Sequence, residues 1–171
     1  WIIFMPQAGA LETLISQQIV AAMKAHDAER AGTLRMVKAA LMNKTIEKRA
    51  AQKQIEAALT QQEAEQVLAT MIKQRRDSIE QFTKGNRPEL AAKEAAEIVV
   101  IEEFLPKALD EAGLAALVSE AIAEVTAATG QKPGPKEMGL VMKAVQAKLQ
   151  AAGVRAEGRV VSEMVKKGLT G

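Results

Sequence analysis

Residues 60–85 read TQQEAEQVLATMIKQRRDSIEQFTKG. Thr60, followed three residues later by Glu63, is a capping box: the two residues exchange side-chain and backbone hydrogen bonds at a helix start. Beyond it, Val67, Leu68, Met71, Ile72, Ile79 and Phe82 recur at the three- and four-residue spacing of one helical face. Gly85 suits the position just past the helix end. The stretch predicts a helix with a single inner face.

The same grammar extends in both directions. Upstream, Leu11, Leu14, Ile15, Gln18, Ile19, Ala22 and Met23 form a stripe over about 10–25. Asp27 can cap a second helix with Leu34, Val37, Leu41, Met42 and Ile46 inside, fading in polar KRAAQKQ (48–54). Downstream, Pro88 suits the first turn of a fourth helix lined by Leu90, Ile98, Ile101 and Leu105 and limited by Pro106. Asp110 caps a fifth that runs to Gly130. Pro135 opens a sixth, with Met138, Val141, Met142, Val145 and Leu149 inside and Gly153 closing it. A seventh, around 156–167, buries Val160, Val161, Met164 and Val165. Strand alternation, hairpin signals and 20–50-residue repeats are missing. The expected fold is all-α and multihelical, with four longer helices before Leu105-Pro106-Lys107 and three shorter ones after it.

Composition agrees with that class. Of 171 residues, 48% are apolar and 26% charged, enough to bury a core. Trp1, Phe4, Phe82 and Phe104 are the only aromatics, and there is no cysteine. Disulfides, thiolate catalysis and Cys-based zinc sites are excluded. No apolar run approaches the ~18 residues of a membrane span. WIIFM at the N-terminus is stopped by Pro6 and has no basic region before it, so it does not read as a signal peptide. A reduced cytoplasmic location is expected.

The net charge is only +2, but it is unevenly spread. Residues 131–171 carry eight lysines and arginines against three glutamates, a balance of +5, leaving −3 for residues 1–130. Such asymmetry points to a polyanionic partner.

Catalytic chemistry is sparse. His26 is the only histidine and sits at the end of the first helix, where a positive charge suits the dipole. No phosphate-binding loop, dinucleotide fingerprint or nucleophile elbow is found. Glu94, Glu97, Glu102 and Glu103 form the densest acidic group; without a Glu-x-x-His partner they read as a solvated face and not a metal site. No catalytic residue, metal or cofactor is assigned. In KQRRDSIEQFTKGNR (73–87), local i,i+4 pairs neutralise most charges but leave Arg75 and Arg87 as weaker contact candidates.

The C-terminal third is more informative. Lys136, Gly139, Lys143, Gln146 and Gln150 share one face of the sixth helix, and Arg159, Ser162 and Lys166 share a face of the seventh. Glycine inside a helix costs about 1 kcal/mol relative to alanine. Two readings account for Gly139. It lets a phosphate approach the backbone between two lysines, or it lets a neighbouring helix pack closely. The first makes Lys136, Gly139 and Lys143, widened by Arg155, Arg159, Lys166 and Lys167, a candidate RNA-backbone surface. With so few aromatics, a stacking platform for single strands is not expected.

Four stretches in order also resemble the GatB/YqeY family: AAMKAHDAERAGTLRMVKAALMNKTIEK (21–48), MIKQRRDSIEQFTKGNRPELAAKEAAEIVVIEEFLPKALDEAGL (71–114), KEMGLVMKAVQAKL (136–149) and GRVVSEMVKKGL (158–169). That family includes free-standing YqeY-like proteins and the tail domain of the B subunit of the glutamine-dependent aspartyl/glutamyl-tRNA amidotransferase. The resemblance runs from about residue 11 to 169, leaving 1–9 as an extension outside it. It implies an N-terminal helical subdomain (10–106) and a basic three-helix C-terminal subdomain (107–171). It also implies contact with tRNA or other structured RNA, and a link to the amidotransferase or aminoacyl-tRNA machinery in translation. The catalytic portion of the full subunit has no counterpart here, so transamidation by this chain alone is not expected. The other reading is a helical protein–protein adaptor without an RNA role.

Overall fold

The capping box at Thr60 forms in full. Thr60 N–H donates to Glu63 Oε2 at 2.7 Å, and Glu63 N–H donates to Thr60 Oγ1 at 3.1 Å. In the computed structural model, which describes residues 8–171, seven α-helices follow one another: α1 (Ala8–Lys24), α2 (Ala28–Gln52), α3 (Gln61–Lys84), α4 (Pro88–Glu102), α5 (Glu111–Thr129), α6 (Met138–Ala152) and α7 (Gly158–Thr170). The protein is all-α, with no strand among the described residues. The expectations about WIIFM and the aromatics Trp1 and Phe4 lie outside the described residues. α1 begins at Ala8, two residues before the stripe expected from about residue 10.

The chain divides into two compact units between Leu105 and Pro106. In the first, α1 pairs with α2 and α3 with α4, and α2 packs against both members of the second pair. Ile15, Leu34, Val37, Leu41, Leu68, Ile72 and Ile101 are fully or almost fully buried between them. Burying each such side chain contributes roughly 1.5–3 kcal/mol. Ion pairs tie the helices across this core. Arg30 reaches Glu103 at 2.7 Å, Arg76 reaches Glu102 at 3.9 Å, and Arg75 reaches Glu97 at 2.9 Å. The acids expected to form a solvated face therefore largely serve as partners for arginines of α2 and α3. Sequence spacing along one helix does not reveal such partners.

Helix ends largely follow expectation. α2 ends at Gln52, inside KRAAQKQ, with Lys53 left-handed as its cap. Its last turn is braced by the returning loop: Lys48 Nζ donates to Ala58 O at 2.9 Å and to Glu63 at 2.6 Å, and Arg49 Nε donates to Ala57 O at 2.9 Å. After α3 the left-handed residue is Asn86 (φ 55°), whereas Gly85 has φ −80°. Asparagine tolerates that region better than most residues, so the turn closes one residue later than the glycine implied.

The second unit contains α5, α6 and α7. Val141, Val145 and Leu149 on α6 and Val161, Val165 and Leu169 on α7 are buried with Leu114, Val118 and Ala121 of α5. The four-residue spacing on α6 and α7 makes each apolar row an i±4n ridge, the kind that seats in a neighbour's groove. α5 is long and apolar enough by composition to cross a membrane. In this unit one of its faces is core, and its acids Glu120 and Glu124 pair with Lys148.

Candidate nucleic-acid interface

The segment before α6 is built by punctuation. Pro135 opens a turn of 3-10 helix, Pro135–Glu137, and α6 begins only at Met138. Lys136 therefore lies on this turn and not on α6. The Glu137 carboxylate turns back to accept the Gly134 N–H at 2.7 Å, fixing the loop. Lys132 Nζ donates to Gly171 O at 2.7 Å, and the 3-10 turn packs against α7. The basic loop and turn before α6 thus lie beside the C-terminal end of α7.

Gly139, in the first turn of α6, is exposed, and a Cβ built on it would meet nothing within 4 Å. No neighbouring helix in the unit uses it for close packing. The glycine that does is Gly168 on α7, where a Cβ would lie 2.7 Å from Ile122 Cδ1 of α5. Of the two readings open for Gly139, close helix packing within the unit is removed, and a bare stretch of backbone remains.

Lys136, Lys143, Lys166 and Lys167 are all exposed, and none has an acidic partner among the described residues. Lys136 and Lys143 are seven residues apart, about 10 Å along a helical axis. Gly168 faces α5, and Lys166 lies about 200° round the wheel from it, on the flank away from α5. Lys136, Gly139, Lys143 and Lys166 are thus carried by neighbouring elements at one end of the α6–α7 pair.

The other candidates are not gathered there. Arg155 lies in the loop at the opposite end, half-buried, and works as a strut. Its Nε donates to Pro106 O at 3.1 Å, its N–H to Lys107 O at 3.1 Å, and its carbonyl accepts from Leu109 N–H at 2.8 Å. It joins the α6–α7 loop to the segment before α5 and is corrected from contact residue to structural residue. Arg159 is 84% exposed at the start of α7, with Glu163 at 3.5 Å, about 10 Å along the helix from Lys166.

Arg75 is corrected more sharply. It is 8% exposed, and besides Glu97 its guanidinium donates to Met71 O at 3.2 Å and to Met36 Sδ at 3.7 Å. It is not available to a partner. Its partners lie on other helices or on the backbone one turn earlier in α3, which explains why no local acid was found for it. Arg87 remains on the surface but is paired with Glu89 at 2.6 Å.

Tertiary pairing also rewrites the charge balance. Lys148 lies 2.7 Å from Glu124 and 3.4 Å from Glu120. The hydrogen bond to Glu124, with Glu120 behind it, holds its ammonium pKa above the usual lysine value. Residues 131–171 keep their +5 by count, and Lys107 with Asp110, Glu111, Glu120 and Glu124 brings the whole unit to nine basic residues against seven acidic ones, a balance of +2. What survives is a local excess around Lys136, Lys143, Lys166 and Lys167. Leu140, beside Gly139, is 53% exposed and was not singled out from sequence, where it reads as part of an apolar helix. Among the described residues, no group of three or more His, Asp or Glu side chains is placed to hold a metal ion.

A family model described as Yqey-like protein matches residues 12–169, most of the chain. No curated protein matches it.

Proposed function

The chain belongs to the YqeY-like protein family, and from that membership we propose that it is a non-catalytic accessory protein that binds the phosphate backbone of tRNA or another structured RNA. The binding surface is Lys136, Gly139 and Lys143, widened by Lys166 and Lys167, in a protein tied to tRNA-dependent amidation. The observation that carries this reading is Gly139: exposed backbone with open space above it, between two lysines that have no acidic partner. Phosphate oxygens accept from lysine ammonium groups and from backbone N–H groups alike. The Glu137 carboxylate works against an anion there, and its bond to the Gly134 N–H directs part of that charge away.

The test is fluorescence anisotropy of labelled total tRNA at low and near-physiological salt. Four lysine–phosphate contacts predict a slope of log K on log[salt] of roughly −3. Between 50 and 200 mM salt that is a loss of about 50–100-fold. Lys136/Lys143/Lys166/Lys167→Glu removes the binding, and so does Gly139→Glu, which enters open space and leaves the fold intact. Retained binding by a folded Gly139→Glu protein refutes the assignment.

A second reading has its own observation. Leu140, 53% exposed in the middle of the patch, suits a protein partner better than a phosphate chain. An adaptor binding through it is weakly salt-dependent, and Leu140→Ser then removes binding where the lysine substitutions do not.

A further inference from the structure

The second candidate surface lies in the other unit, on the outer face of α2. Its core side is Leu34, Val37 and Leu41, all at most 1% exposed. At 100° per residue, Arg35, Ala39, Met42, Ile46 and Arg49 fall about 60–140° round the wheel from Leu34, on one exposed flank beside the core side, with half-buried Lys38 at its inner edge and Lys53 closing the helix. The row runs about 27 Å. Met42 is 46% exposed and Ile46 59%. A surface helix ordinarily keeps one apolar stripe and turns it inward; α2 has a second one facing out.

The charges around that stripe have one sign. Arg35, Lys38, Arg49 and Lys53 have no acidic partner among the described residues. Arg35 donates to the Met23 thioether at 3.2 Å and Arg49 to the Ala57 carbonyl, and neither contact neutralises a charge. Glu47, the nearby acid on the helix, is engaged by Lys44 at 3.3 Å. The other cations of α2 are paired across the core, Arg30 with Glu103 and Lys48 with Glu63. The unpaired ones are those that flank Met42 and Ile46.

We propose that the outer face of α2 docks an acidic amphipathic helix of a partner protein. That helix would set apolar side chains on Met42 and Ile46 and aspartates or glutamates against Arg35, Lys38, Arg49 and Lys53. The charge complementarity names the sign of the partner, and the two exposed apolar side chains name its kind. Phosphates gain nothing from a methionine and an isoleucine. A lipid surface requires an apolar face that sinks ~5–10 Å, whereas α2 offers two side chains on a helix whose other face is fixed in the core. Helix-in-groove recognition uses anchors at such spacings. This surface is separate from the lysines around Gly139, and each stands or falls alone.

The probe is a designed helical peptide of about 18 residues, with leucines on one face and glutamates beside them, titrated into the full chain. The comparisons are its lysine-for-glutamate counterpart, phosphatidylserine vesicles and an RNA duplex. Expected is saturable binding of the acidic peptide only, weakened about tenfold or more by Met42→Ser/Ile46→Ser and by Arg35→Glu/Lys53→Glu. All four positions are on the surface, so circular dichroism melts stay unchanged. Lys136/Lys143→Glu leaves peptide binding as it was. No binding, equal binding by the α2 variants, or α2-dependent binding of vesicles or RNA in place of the peptide overturns the proposal. So does dimerisation of the chain through Met42 and Ile46.

Discussion

Alanine at Gly139 and alanine at Gly168 are the same chemical change in two helices of one unit, yet their surroundings send them in opposite directions. At Gly139 a Cβ meets nothing within 4 Å. The substitution removes backbone freedom from the unfolded chain and adds helix propensity, a gain of roughly 0.5–1 kcal/mol. At Gly168 the same gain is opposed by Ile122 Cδ1, 2.7 Å from the new carbon. Overpacking of this kind costs about 1–3 kcal/mol. Ile122 is half-buried and can rotate in part, at about 0.5–1.5 kcal/mol for an off-rotamer angle. Gly168→Ala should therefore come out neutral to about 2 kcal/mol destabilising, at least ~1 kcal/mol below Gly139→Ala. Because the chain has two compact units, the readout must be local. Native-state hydrogen exchange at the buried Val145 and Val161 amides reports the C-terminal unit directly. Exchange should slow about two- to fivefold in Gly139→Ala. A Gly139→Ala protein that exchanges faster, or a Gly168→Ala protein stabilised equally, refutes the account of where each glycine points.

Arg75→Ala leaves the part-buried Glu97 without its partner, and thermal unfolding should show a loss of about 3 kcal/mol, the low end for breaking a buried pair, against near-neutrality for the exposed Arg87→Ala. Thr60→Ala removes one arm of the capping box and should cost about 1 kcal/mol in urea unfolding; no change would mean that Glu63 alone holds the end of α3. The Glu63 carboxyl is held below the usual 4.5, first by the Lys48 ammonium and then by the Thr60 N–H. A depressed folded pKa gives stability that is present above 4.5 and lost as pH falls through the folded value. Glu63→Gln should accordingly flatten the acid arm of the stability curve below pH 4.5, and an unaltered arm counts against the Lys48 contact.

The helices were legible because their signals are local. Thr60, Asp27 and Asp110 each cap the helix that follows, and the rows Val141–Val145–Leu149 and Leu34–Val37–Leu41 are periodic in the sequence itself. The exposure of Lys143 and Lys166 was legible for the same reason: a residue on an outward helical face keeps the character its spacing gives it. Arg75 and Arg155 were misread because the groups that claim them lie 22 and 49 residues away. The second apolar stripe of α2 was read as one face with the first, since Met42 and Ile46 join Leu34, Val37 and Leu41 in any list of apolar positions.

By itself, then, the sequence determined an all-α chain, its seven helices and most of their caps, because capping and the 3.6-residue period act within a few residues. It also pointed to a break at Leu105-Pro106, since a proline beyond the first turn cannot continue a helix. Tertiary structure alone decided which charges remain unpaired and which glycine is open. Ion pairing and steric contact depend on distance in space, and α5 brings Glu120 and Glu124 to Lys148, and Ile122 to Gly168, from far along the chain.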